Sequence, residues 1–183
     1  MKPELRIKTF VDDFILPRKG PLPGLPEKFR ENPDNGEEWD DWIEVASCVT
    51  NQDLDAIEER FETTLPHLLK LYLKYKIIFD GDFGIYRFPD MTPANPLKNL
   101  ISQIDVINQS SFFKAHKLLP FAQDGNDGGP ICFKYDEDGI EKGFPIYFVD
   151  YDLIHNRDYE GEIIYESFIQ LIDAIERNMQ SYD

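Results

Sequence analysis

Residues 124–129, Asp-Gly-Asn-Asp-Gly-Gly, hold the densest group of potential ligand atoms in the sequence. Carboxylate and amide oxygens bind Ca²⁺ or Mg²⁺, and glycines let the backbone fold around an ion. The segment lacks the EF-hand register and a closing glutamate. Asn, Asp and Gly also suit tight turns with positive φ, so a turn that leads into a strand is the preferred interpretation. Partner contact by Asp124, Asn126 and Asp127 comes second, and metal binding comes third.

Histidines and cysteines are too scattered to suggest a catalytic site. His67, His116 and His155 occur singly, with no HExxH pair, and His67 is interpreted as a helix-start residue on a polar face. Cys48 and Cys132 lack CxxC or Cys/His spacing, so both are interpreted as buried or incidental thiols. The sequence also lacks a glycine-rich phosphate loop and a GxSxG elbow. We therefore expect no enzyme activity, no cofactor and no metal.

Negative charge is the strongest global feature of the 183-residue chain, whose formal net charge is −16. Residues 121–183 hold 15 acidic and 4 basic residues, so most of the net charge lies in the last third. Such a surface repels nucleic acid and anionic membranes, whereas it attracts a basic protein. We expect a basic protein partner, and the alternative is that the charge serves solubility alone.

Two acidic clusters also contain aromatic residues, which are favoured at the centres of protein interfaces. The first, residues 37–44, includes Trp39, Asp40, Asp41 and Trp42, of which we expect Trp42 to be buried and Trp39 to be partly exposed. The second cluster is the preferred partner-binding surface. Its candidate residues are Asp150, Tyr151, Asp152, Asp158, Tyr159 and Glu160. The alternatives are core anchoring by the tryptophans of the first cluster and a solvated loop for the second.

Hydrophobic periodicity predicts an order of elements that is typical of α+β domains. Thr50 and Asp53 have the spacing of a capping box, which predicts a helix that begins directly after Thr50. Further helices are predicted to begin near Pro66, Pro96 and Ser167. Strands are predicted within residues 83–88, 131–135 and 144–149. We expect a single α+β domain with a mostly antiparallel central sheet and helices packed on it.

The N-terminal part is expected to differ from the domain at residues 42–183. Residues 1–41 are predicted to form an irregular extension packed on the domain by its apolar side chains, because closely spaced prolines disfavour a helix. These prolines are Pro17, Pro21, Pro23, Pro26 and Pro33. The sequence has no run of about 18 apolar residues and no apolar stretch typical of a signal peptide, so we expect a soluble, cytoplasmic protein.

Several short motifs resemble those of a known family. Ile57-Glu58, Phe61-Glu62, Leu65-Pro66, Leu69 and Tyr72-Leu73 resemble the opening helical signature of the SUKH superfamily, which includes the Smi/Knr cell-wall regulators of fungi. Residues 119–129, two predicted strands and the helix after Ser167 follow the same order as in that family. The resemblance covers roughly residues 42–178. The segment Asn-Asp-Gly-Gly-Pro at residues 126–130 departs from the usual pattern and leaves the geometry of this loop open.

The resemblance implies an α+β fold, a binding role without known catalytic residues and, in bacterial members, immunity to toxins that include nucleases. The first functional hypothesis is therefore an immunity protein that neutralises a basic toxin by direct binding. The alternative is a housekeeping regulatory module of the Smi/Knr type. A metal-dependent hydrolase that uses Asp124 and Asp127 is the least favoured hypothesis. The toxin, the binding face and the oligomeric state are left open.

Overall fold

The computed structural model describes residues 2–141 and 143–181, which contain seven α-helices and seven strands. The helices are α1 (Pro3–Thr9), α2 (Asn51–Phe61), α3 (His67–Tyr75), α4 (Lys98–Ile107), α5 (Ser111–Ala115), α6 (Glu137–Glu141) and α7 (Phe168–Gln180). The strands are β1 (Leu22–Pro23), β2 (Trp39–Asp40), β3 (Tyr86–Arg87), β4 (Leu118–Asp124), β5 (Pro130–Lys134), β6 (Ile146–Phe148) and β7 (Glu162–Tyr165). None of the helices described is long and apolar enough to cross a bilayer.

Strands β3 to β7 form one antiparallel sheet, in which the spatial order of the strands is also their order in the sequence. Strands β1 and β2 form a separate hairpin in the N-terminal part of the chain. The predicted α+β fold with an antiparallel sheet is confirmed. In an antiparallel meander each turn reverses the chain, so every second turn lies at the same end of the sheet.

Helices α2 and α7 begin where local capping predicts them. The Thr50 side chain accepts a hydrogen bond from the Asp53 N–H at 3.2 Å, and the Asp53 carboxylate accepts one from the Thr50 N–H at 2.8 Å. This reciprocal pair is the predicted capping box, and it starts α2. The Ser167 side chain caps α7 by accepting the Gln170 N–H at 3.4 Å.

Aromatic side chains join the sheet to α7. Phe121 of β4 stacks on Phe133 of β5 with ring centroids 3.9 Å apart. Phe168, the first residue of α7, contacts these two rings at 5.9 Å and 5.7 Å. Phe88 packs edge-on against Phe121 at 5.6 Å. Because aromatic pairs are stabilised by more than their buried area, this layer fixes the position of α7 on the central strands.

The opposite face of the sheet is covered by α5 and the last residue of α4, Ile107. Cys132 lies between two residues that face α7, so its side chain points to the other face. There it packs in a second buried cluster with Phe112, Phe113 and Val149, among others. Burial raises the pKa of the Cys132 thiol well above its ordinary value, while Cys48 is exposed. The central strands are thus covered on both faces.

Residues 3–18 correct the prediction of an irregular extension. Helix α1 continues into a π-helical turn at Phe10–Ile15 and a 3-10 turn at Leu16–Arg18. The prolines that argued against a helix begin at Pro17, where this helical segment ends, and Pro3 stands at the start, where proline is tolerated. After residue 18, the chain is a short hairpin with isolated turns, which agrees with the irregular structure expected there.

This N-terminal helical segment belongs to the hydrophobic core. Its buried apolar residues recur at helical spacing and are 0–6% exposed: Ile7, Phe10, Val11, Ile15 and Leu16. Phe10 contacts the rings of Phe83 at 5.9 Å and Tyr72 at 6.4 Å. The helical period of these apolar residues was present in the sequence, but the prolines outweighed it in the prediction. The division of the chain into an extension and a domain at residue 42 stays a prediction.

Ion pairs also hold this segment in place. Arg6 is 9% exposed and donates to Asp173 at 2.7 Å and to Glu176 at 2.6 Å, both on α7. Asp12 accepts hydrogen bonds at 2.8 Å from both Lys76 and the Tyr75 hydroxyl, and it also pairs with Lys8. Burial opposes ionisation of Asp12, but these donors outweigh it and lower the pKa of Asp12 to about 2.

We predict that Phe10→Ala lowers the free energy of unfolding by about 3–5 kcal/mol, because it removes a fully buried aromatic ring. Urea unfolding measures this change. Leu5→Ala is the matched control, since Leu5 is 51% exposed on the same segment, and it should change stability by less than about 0.5 kcal/mol. Equal effects of the two substitutions would show that this segment is not part of the core.

A second prediction concerns pH. Because the pKa of Asp12 is lowered on folding, its contribution to stability is complete above the ordinary aspartate pKa of about 4 and is lost as the pH falls towards 2. The stability difference between the unmodified protein and Asp12→Asn should therefore shrink between pH 5 and pH 2, as measured by urea unfolding. Asp13→Asn, which removes the exposed neighbouring carboxylate, is the control. A difference that is constant with pH would contradict the prediction.

Candidate protein-binding surface

The antiparallel meander collects acidic turns at one end of the sheet. Strands β4 and β6 end there, and β3, β5 and β7 begin there. We call the surface formed by these turns the acidic end. Its carboxylates, all at least partly exposed, are those of Asp82, Asp124, Asp127, Asp150, Asp152, Asp158, Glu160 and Glu162. Both acidic segments predicted in the second half of the chain therefore lie on one surface.

Backbone contacts join the β4–β5 turn to the segment after β6. The Tyr151 N–H donates to the Gly128 carbonyl at 3.3 Å, and the Val149 N–H donates to the Pro130 carbonyl at 3.1 Å. Gly129 allows this approach, since a Cβ atom there would lie 1.9 Å from the Val149 carbonyl oxygen. The two segments are distant in sequence but are held side by side by main-chain atoms.

Two carboxylates of the β4–β5 turn form contacts within the protein. Asp124 accepts hydrogen bonds from the N–H groups of Asn126 at 3.0 Å and Gly128 at 3.4 Å. Asp127 has a φ of 62° and pairs with Arg87 on β3. This geometry supports the interpretation as a structural turn. In the part of the chain that the structure describes, no group of three or more His, Cys, Asp or Glu residues is arranged to hold a metal ion.

A cleft of about 460 Å³ lies beside this turn. Asp80, Asp82 and Asp90 line it together with Arg87. Burial and the carboxylates of Asp80 and Asp82 raise the pKa of Asp90 above its ordinary value, although the Gly81 N–H donates to Asp90 at 2.9 Å. The cleft extends the negative potential of the acidic end towards β3.

Tyr159 holds the segment after β6 in place. Its hydroxyl accepts the Asp150 N–H at 2.8 Å, and its ring stacks on Phe112 at 5.8 Å. Burial raises the pKa of Tyr159. Asp150 in turn accepts the Asp152 N–H at 2.8 Å. Among the predicted partner-binding residues, Tyr159 therefore positions the carboxylates, while Tyr151, Asp152, Asp158 and Glu160 are exposed.

Exposed apolar side chains lie among these carboxylates. Tyr151, Leu153 and Ile163 are 40%, 39% and 55% exposed. Apolar anchors within a polar rim are the usual composition of protein interfaces. Leu153, Ile163 and the whole of β7 were not predicted from the sequence. The run Glu-Ile-Ile-Tyr at 162–165 carried a signal, because β-branched and aromatic residues favour strands.

The first acidic cluster lies on and next to the separate β1–β2 hairpin. Trp42 is 1% exposed and packs against Phe79 at 5.4 Å, whereas Trp39 is 55% exposed, so both predictions of burial are confirmed. Asp40 is only 3% exposed, and its carboxylate accepts the Asn32 N–H at 3.2 Å. It therefore has a structural role in place of the predicted partner contact. Asp41, the residue after β2, is half-buried.

Comparison with known protein families identifies a relationship. A family model described as the SMI1 / KNR4 family (SUKH-1) matches residues 48–174, which is more than half of the chain. The match includes strands β3 to β7 and every carboxylate of the acidic end, while the N-terminal helical segment and the β1–β2 hairpin lie outside it. None of the curated proteins compared with the chain matches it.

We predict that Tyr159→Phe lowers the free energy of unfolding by about 1 kcal/mol, because the Asp150 N–H loses its acceptor. The Asp150 amide should also exchange with solvent faster, which hydrogen exchange measures. Tyr151→Phe removes the hydroxyl of an exposed ring on the same segment and serves as the control. Unchanged exchange at Asp150 in the Tyr159→Phe variant would contradict the supporting role of this hydroxyl.

Proposed function

Because the chain belongs to the SMI1 / KNR4 family (SUKH-1), we propose that it is an immunity protein that neutralises a cognate toxin by binding it directly. Domains of this family often act as immunity proteins, are generally not enzymes and engage in protein–protein interaction. The observation that carries the proposal is the acidic end, where carboxylates from three turns and exposed apolar side chains lie at the same end of the sheet.

The partner that suits this surface is a basic toxin. Carboxylates on one face accelerate encounter with a basic protein and orient it before contact. Toxins that act on nucleic acid fit this description, because they bind phosphates with Lys and Arg side chains. An immunity protein that occupies such a basic surface would exclude the substrate. The site of action we propose is the cytoplasm, where such a toxin would meet nucleic acid.

The proposed contact surface combines predicted residues with those added by the structure. Predicted residues retained in it are Asp124, Asn126, Asp127, Asp150, Tyr151, Asp152, Asp158 and Glu160. Leu153 and Ile163 are added as apolar anchors because they are exposed within the same surface. Trp39 and Asp41, on and next to the β1–β2 hairpin, form a second, separate candidate for contact. Binding requires no chemistry from any of these side chains.

Co-expression with the product of the neighbouring toxin gene tests the proposed function. Growth should be restored, and the two proteins should elute together on gel filtration. Failure of both results would contradict the proposal. A neighbouring gene that encodes no toxin, together with binding to endogenous partners, would favour the regulatory module of the Smi/Knr type.

We predict that the triple substitution Asp150→Lys, Asp152→Lys and Asp158→Lys slows association with the toxin by about tenfold or more and weakens its salt dependence. Stopped-flow or surface plasmon resonance at several salt concentrations measures both effects. The control is Asp55→Lys, Glu59→Lys and Glu141→Lys, which changes the net charge equally at exposed positions elsewhere. If both triple variants associate equally fast, the acidic end is not the interface.

A further inference from the structure

We propose that the outer edge of β7 accepts an extended segment of the toxin as a sixth strand of the sheet. This inference rests on the proposed function and specifies how the partner binds and which kind of segment it presents. The segment would be extended and would alternate basic and apolar residues. It would lie next to the acidic end, because β7 begins there.

The position of β7 in the sheet is the first observation. Among the described residues, the sheet ends at β7, which pairs with β6 on one side only. The outer side of such a strand presents N–H and C=O groups that can pair with another chain. Ile163, in the middle of β7, is 55% exposed. The edge therefore offers both main-chain hydrogen bonds and an apolar side chain to a partner.

The edge is held in position from within the protein. Tyr165 pairs with Ile146 on β6, and its hydroxyl lies 3.0 Å from the hydroxyl of Tyr86 on β3. The two tyrosine rings meet at 6.1 Å in an edge-to-face arrangement. Since this strand is ordered by contacts with both β6 and β3, a partner strand would not bear the entropy cost of ordering it.

The charge of residues 158–166 indicates which kind of strand can pair with β7. Residues 158–166 contain Asp158, Glu160, Glu162 and Glu166 but no lysine, arginine or proline. Exposed edges are commonly protected by charged side chains, especially lysine, and by proline. Carboxylates repel an acidic strand, but they attract a basic one. A second copy of the chain is disfavoured, because two copies of this edge would bring the carboxylates of residues 158–166 close to each other. Like charges directly opposite each other destabilise a strand pair.

The alternation of side chains defines the segment further. Successive residues of a strand point to opposite faces, so Ile163 and Glu162 lie on different faces of the sheet. A paired strand would place an apolar residue beside Ile163 and basic residues beside Glu162 on the other face. An alternating sequence such as Lys-Val-Lys-Val-Lys-Val-Lys meets both requirements.

That synthetic peptide is the probe for the first experiment, which uses the full chain. Peptide binding should slow hydrogen exchange of outward-facing amides in Glu162–Tyr165 by tenfold or more. A peptide with alternate amides N-methylated keeps the charges but cannot form a ladder, and it should give no protection. A peptide with Glu in place of Lys should not bind. Equal protection by the N-methylated peptide, or protection only outside β7, would overturn the inference.

A variant pair supplies the second measurement. Ile163→Lys should weaken binding of the Lys-Val peptide at least tenfold, because it removes the apolar contact and adds a like charge. Val106→Lys on α4 makes the same change at a site that is 65% exposed, and it should leave binding unchanged. Equal weakening by both variants would attribute binding to general charge attraction and would overturn the edge inference.

The complex with the toxin separates this inference from the proposed function. If the toxin binds and restores growth but leaves the β7 amides unprotected, the edge inference fails and the proposed function stands. If the toxin does not bind while the Lys-Val peptide protects β7, the proposed function fails and β7 remains a binding edge for basic strands.

Discussion

Stacking of Phe121 on Phe133 beneath Phe168 is the contact on which the rest of the structure depends. It fixes α7 to the two central strands, and α7 in turn binds the N-terminal helical segment through Arg6. The turns of the acidic end continue directly from these strands. The positions of the surface carboxylates are thus set by close packing in the core, which is rigid because it has few voids.

Charge is distributed so that most described ion pairs lie away from the acidic end. Arg6 and Lys76 compensate carboxylates around the N-terminal helical segment, and Lys70 pairs with Glu58 at 2.7 Å. At the acidic end, the structure describes the pair between Arg87 and Asp127. The other carboxylates of the acidic end are at least partly exposed to solvent. The chain, whose net charge is −16, therefore carries part of its unbalanced charge at this end of the sheet.

Local patterns predicted local structure well, since capping boxes, alternating strands and the burial of Trp42 depend on neighbours in the sequence. The N-terminal helix was missed because prolines at its end were given more weight than the helical period of Ile7 and Phe10. Two features could not be predicted from local sequence patterns. The contact between the β4–β5 turn and the segment after β6 depends on strand pairing, and the burial of Asp40 depends on its bond to Asn32.

The close backbone contact at Gly129 distinguishes positions on this surface that cannot be substituted from positions that can. A side chain at Gly129 would collide with the Val149 carbonyl, so this position cannot vary without moving both turns. The exposed side chains at Asp152 and Leu153 point into solvent from a backbone that does not depend on their identity. Substitutions of the exposed side chains can therefore change the contact surface without moving the two turns, whereas a substitution of Gly129 would move both.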